Sequence, residues 1–218
     1  RVRFISDAYS STNTDNQVTF TESIQAEESF MLRGMGMGTF NEVLYTPEFV
    51  GKYSDRMQIG SEEQDLLYSL YKSYLKFDTS GIADYYDDIT DVTLSMTCLN
   101  RYFSSTYFGF NINIYEQNWS EVEDNIARDH NIFVNTSTVN YPSYLWHATE
   151  GMTTDTTYTS ASLGINYLNR LGFTYYGLQG FKNGPQAYVS LYPSTSAYPP
   201  TLNVSYTYSG MLFTGFIT

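Results

Sequence analysis

The chain has 218 residues and a formal net charge of −12, with 22 Tyr and 14 Phe set against only 11 Lys plus Arg. That balance excludes a surface built for a phosphate backbone or an anionic membrane, both of which need clustered cations, and it suits neutral sugars, cations or basic protein patches. A single cysteine, Cys98, excludes an intramolecular disulfide framework and a Cys-rich zinc site, and no apolar run reaches the roughly 20 residues a membrane helix needs.

Residues 1–54 read as an N-terminal arm that contributes strands of its own. Position 1 is Arg and no signal peptide is visible, which is expected of a processed chain or of part of a longer product. Within the arm, FMLRGMGMGTF interleaves Gly34, Gly36 and Gly38 with Met35 and Met37. Glycine at every second strand position leaves one face bare, so something can lie close against it, which reads as a bend or a close strand crossing in preference to a binding surface.

The next segment, EEQDLLYSLYKSYL, has some 3.6-residue spacing but runs straight into the alternation SYLKF, where Leu75 and Phe77 share one face and Tyr74 and Lys76 the other. DVTLSMTCL then puts Val92, Leu94, Met96 and Cys98 on one face, so Cys98 reads as a small buried hydrophobe. FGFNINIYE does the same with Phe108, Phe110, Ile112 and Ile114. SEVEDNIARDH offers a turn or two of helix, with Ser120 as N-cap and Glu123 completing a capping box. YTSASLGINYLNRLG holds a short helix or strand, and AYVSLY turns Val189 and Leu191 inward.

TLNVSYTY is the last complete strand, with Leu202, Val204, Tyr206 and Tyr208 on one face. Pro199 and Pro200 precede it. Lacking amide hydrogens, they force pairing to begin after them and so set its register. The apolar tail GMLFTGFIT, 209–218, follows as an edge strand or a surface for a neighbour.

MQIG at 57–60, LYKSYLKFDTSGI, ITDVTLSMTCL and FGFNINIYEQNWSE, then YTSASLGINYLN, FTYYGLQGF and AYVSLYPSTSAYPPTLNVSYT, form a collinear series. Over about residues 55–208 that series resembles a DNRLRE-type β-sandwich domain. The resemblance implies a jelly-roll module of larger cell-surface or carbohydrate-active proteins, or a virion-associated protein; ligand sites do not carry over. The expected class is therefore all-β: a jelly-roll β-sandwich with one or two short helices in loops and extended strand-like termini.

Chemistry is sparsely marked. His130 and His147 stand near Asp129 and Glu150, but no motif of a triad or a metalloenzyme surrounds them, and no catalytic residue is assigned. Asp84, Asp87, Asp88 and Asp91 crowd one turn, which reads either as a structural Ca²⁺ site or as a solvated acidic turn with Asx hydrogen bonds. Trp119, Tyr141, Tyr144, Trp146, Tyr175 and Tyr176 fall in loops or at strand ends, and Tyr102 belongs to the same group. Stiff amphipathic rings of this kind serve sugar stacking, protein contact or ordinary packing. Asn118, Asn135 and Asn203 fit the glycosylation sequon.

Two functions are consistent with these features. One is a non-enzymatic structural subunit of an extracellular surface or virion (a capsid decoration, fibre or filament component) whose partners are other copies of itself or a larger assembly. The other is a carbohydrate-binding module of a secreted or cell-surface protein. Neither nucleic acid nor membrane insertion is expected.

Overall fold

The computed structural model describes residues 18–82, 88–103, 109–116, 119, 132–133, 144–180 and 187–208, with backbone alone at 18, 144–148 and 208. The strands are β1 (Val18–Gln25), β2 (Glu28–Met37), β3 (Phe49–Tyr53), β4 (Met57–Gln64), β5 (Leu67–Asp78), β6 (Asp88–Phe103), β7 (Asn111–Glu116), β8 (Tyr144–Ala148), β9 (Thr157–Thr159), β10 (Phe173–Gln179), β11 (Ala187–Leu191) and β12 (Thr201–Tyr208). One helix, α1 (Phe40–Tyr45), lies between β2 and β3. The fold is all-β and sandwich-like. Every strand pair among the described residues is antiparallel, along the path β1-β12-β6-β11-β4-β5-β10-β7-β8, with β3-β2 added to β5 and β9 to β6.

The sheet doubles back on itself around one main core. Leu202, Val204 and Tyr206 of β12 and Ile89, Val92, Leu94, Met96 and Cys98 of β6 pack in a single cluster with Leu75 and Phe77 of β5, Tyr176 and Leu178 of β10, and Ile112 and Ile114 of β7. The period-2 pattern of each strand supplies these positions. Where β6 pairs with β12 the register slips between Ser205 and Tyr206, and this bulge lets Ile89 and Val92, three residues apart, both face inward. β12 begins at Thr201, directly after the prolines, and the Pro200 carbonyl accepts a bond from Ala26 N at 2.8 Å.

β4 turns a corner. Its first half pairs with β11 and its second half with β5, and Gly60 belongs to both ladders at φ +131. A Cβ at Gly60 would overlap the Ala187 carbonyl oxygen and Tyr188 Cα, so only glycine lets the two backbones pass.

The N-terminal region contributes β1, which pairs with β12 from Val18↔Tyr208 to Gln25↔Thr201, and β2, which pairs with β5 from Glu28↔Lys76 to Met37↔Leu67. Its bare glycine face is closely packed, by a ring and a helix and not by a crossing strand. The Phe133 ring lies where a Gly34 Cβ would stand, 2.5 Å from its Cζ, and Val43 of α1 comes within 3.2 Å of the corresponding point at Gly36.

This packing corrects one sequence expectation. Tyr74 and Lys76, placed opposite the core face of β5, are buried as well. A second cluster of Phe30, Leu32, Val43, Leu44, Val50, Leu70, Tyr74, Trp119 and Phe133 covers that face, so β5 is buried on both sides. EEQDLLYSLYKSYL is accordingly strand and not helix. α1 is a helix that the sequence reading did not anticipate; it is set by a capping box in which Thr39 Oγ1 accepts from Glu42 N and the Glu42 carboxylate accepts from Thr39 N. The helix expected at Ser120–Glu123 and the tail 209–218 lie outside the described residues.

Candidate functional site

The most organised surface feature is a row of side chains crossing six strands in register. The ladders run Gly51↔Arg33↔Tyr71↔Gly60↔Tyr188↔Tyr102, from β3 through β2, β5, β4 and β11 to β6. Residues directly opposite one another share a face, so this one line puts a guanidinium and three phenols side by side. The Arg33 Cζ lies 5.7 Å from the Tyr71 ring centroid, Tyr71 meets Tyr188 edge-on at 5.9 Å, and Tyr188 stacks on Tyr102 at 5.6 Å. Gly60, between Tyr71 and Tyr188, has no side chain to separate them.

Polar bonds fix the row. Tyr71 donates its hydroxyl proton to Glu62 Oε2 at 2.6 Å, and Arg33 Nη2 donates to Ser69 Oγ at 2.9 Å. Burial, reinforced by the bond to Glu62, raises the Tyr71 phenol above its ordinary pKa, and burial does the same to Tyr188. Both rings therefore stay neutral through the physiological range. Arg33 Nε is buried and finds no acceptor among the described residues. Exposure increases along the row from the buried Tyr71 to Tyr102, which is 44% exposed.

The same face continues beyond the row into an apolar tip. Met35 pairs with Phe49 and Met37 with Leu67, the residue that closes the β4–β5 hairpin opposite Gln64. Between them Asp65 and Leu66 form the hairpin turn with φ of +51 and +69. Two positive φ values are the signature of a type I′ turn, which ordinarily takes Asn-Gly. A leucine there costs about 1–2 kcal/mol of left-handed strain. Leu66 is nonetheless 69% exposed, beside Met37 at 65% and Phe49 at 47%.

A second concavity sits at the β7–β10 rim, lined by Glu116, Tyr167, Asn169, Phe173, Thr174 and Tyr175, with a volume of about 100 Å³. Small-molecule sites usually offer about 300–1,000 Å³. Its polar groups are largely spent on one another: Asn169 Nδ2 donates to Phe173 O, Leu171 N donates to Asn169 Oδ1, and Thr174 Oγ1 accepts from Asn169 N.

Of the residues singled out from sequence, Tyr175 lines this pocket and packs edge-on against Trp119 at 5.0 Å. Trp119 and Tyr176 are buried, Tyr176 donating its hydroxyl proton to Tyr167 O. Tyr144 and Trp146 lie in β8 beside β7, their side chains outside the described residues, as is Tyr141 altogether. Asp84 and Asp87 are also outside the described residues. The β6 bulge places Asp88 and Asp91 opposite Thr207 and Ser205, and Asp91 Oδ1 accepts from Val92 N at 2.9 Å. Among the described residues no three His, Cys, Asp or Glu side chains converge at metal-binding spacing. Cys98 is buried, and burial raises its thiol pKa. Asn203 sits in β12 with its amide in a ladder, accepting from Ser23 Oγ and donating to Ser95 Oγ.

Arg33, Glu62, Tyr71 and Tyr188 escaped the sequence reading, because a row across strands leaves no trace in linear spacing. The one linear signal was Gly60 ending MQIG. No family model matches the chain, and no curated protein shows significant sequence similarity to it.

Proposed function

We propose that the chain is a non-enzymatic structural module of an extracellular surface or virion, and that copies associate through the Arg33–Tyr71–Tyr188–Tyr102 row. The observation that carries this reading is the row itself. Its open end is the stacked Tyr188–Tyr102 pair on β11 and β6, with Tyr102 44% exposed, an aromatic centre of the kind around which a patch burying about 800 Å² per partner is built. Its composition suits an interface centre, since Tyr and Arg are the side chains enriched there. Its charges suit contact between like copies: Arg33 lies on the row and Glu62 beside Tyr71, so a two-fold arrangement can oppose unlike charges. The DNRLRE-type relationship is part of the proposal and rests on the collinear strands β4 to β7 and β10 to β12.

The test is molar mass by light scattering over a range of concentrations, comparing the natural chain with a Tyr102→Ser/Tyr188→Ser variant. Association that the double substitution abolishes supports the reading; a natural chain that stays monomeric at all concentrations refutes it. The pocket bearing Tyr175 and Phe173 favours a second reading, a carbohydrate-binding module. A glycan array checks it, since binding lost in Tyr175→Ala and kept in the Tyr102/Tyr188 variant would favour that reading.

A further inference from the structure

The apolar tip stands open to solvent. Met37, Phe49, Leu66 and Leu67 all present large side chains to solvent, and Leu66 does so from a turn where glycine would be relaxed. Strain and exposure together at one residue point to use by a partner.

The rim says which partner. Met37 N donates to Glu48 Oε1 at 3.3 Å, Glu42 caps α1 beside Gly38, and Asp65 adjoins Leu66 in the turn. None of these three carboxylates forms an ion pair among the described residues. An apolar centre with an uncompensated acidic rim repels a second copy of itself, and repels an anionic membrane for the same reason.

We infer that the tip docks an unlike protein whose contact surface is apolar and ringed by Lys and Arg. This rests on the assembly reading and names the neighbour at the end of the same face: copies meet through the tyrosine row, and the tip attaches them to a basic partner.

The probe is an amphipathic helical peptide with leucines on one face and lysines on the other. Two controls replace its lysines by glutamate or its leucines by serine. The full-length chain should bind the Leu/Lys peptide and neither control. Leu66→Gly, which relieves the turn and preserves every charge, should weaken binding about tenfold, as should Glu48→Gln/Asp65→Asn. Equal binding of the Ser/Lys peptide would show bulk charge at work and overturn the inference, as would a Leu66→Gly chain that binds unchanged. The same variant is run by light scattering. If Leu66→Gly abolishes self-association, the tip is a contact between copies, so this inference falls while the assembly reading survives. If the chain is monomeric yet binds the peptide through Leu66, the inference stands and self-association fails.

Discussion

Lys72 sits in the second core with no exposed surface, its Nζ donating to the Phe133 carbonyl at 2.6 Å and lying 4.4 Å from the Phe133 ring centroid. Burial pulls its pKa down from 10.5 to about 7. The sign follows from linkage: between pH 7 and 10.5 the unfolded chain holds a proton here that the folded chain has released, so stability rises with pH. The slope is at most about 1.4 kcal/mol per pH unit. Denaturant midpoints at pH 7 and pH 9.5 should therefore differ in the natural chain, and Lys72→Met should flatten that difference. Leu66 gives an opposite kind of residue effect. Leu66→Gly should raise the melting temperature, by about 1 kcal/mol in stability, because it removes backbone strain and loses no buried contact. Gly34→Ala should lower stability by roughly 1–3 kcal/mol, since the buried Phe133 ring occupies the space the methyl needs. The glycine alternation announced that something packs there, but nothing local could name a ring about a hundred positions away.

At the scale of elements, β4 and its corner decide the shape. Gly60→Ala adds both a strained φ and an overlap with backbone atoms of β11, so it should destabilise by more than about 3 kcal/mol or prevent folding, read by soluble yield and circular dichroism. α1 is held more loosely: Thr39→Ala removes half of the capping box and should lower stability by about 1 kcal/mol in thermal melts. The strands with a clean alternation, such as β12 after its prolines and the core faces of β6 and β7, were legible because one solvated and one buried face leave a period of two. β5 was ambiguous because a strand covered on both sides loses that period, and its Lys72 and Lys76 stand where lysine ordinarily signals solvent. The β4–β5 hairpin was hidden by Asp65-Leu66, a pair that satisfies the turn only under strain.

Across the whole molecule, the acidity and the hydroxyl content divide the labour. Ser23, Asn203, Ser95 and Thr159 hydrogen-bond in sequence across β1, β12, β6 and β9, so the polar residues of that face satisfy one another. The tyrosine row and the apolar tip lie on another part of the sheet, assembled by successive pairings that link Arg33 through Tyr71 and Gly60 to Tyr188. Composition predicted that many tyrosines would serve contact or packing, and only the register shows which. Hydroxyl-radical footprinting of the full-length chain at low and high concentration separates association through the tyrosine row from association through the tip, because it reads tyrosine, methionine and leucine side chains together. Tyr102 and Tyr188 should lose reactivity as concentration rises while Met37 and Leu66 stay reactive. Tyr102 and Tyr188 remaining fully reactive in a chain that has associated would place the contact between copies elsewhere and rule out the row.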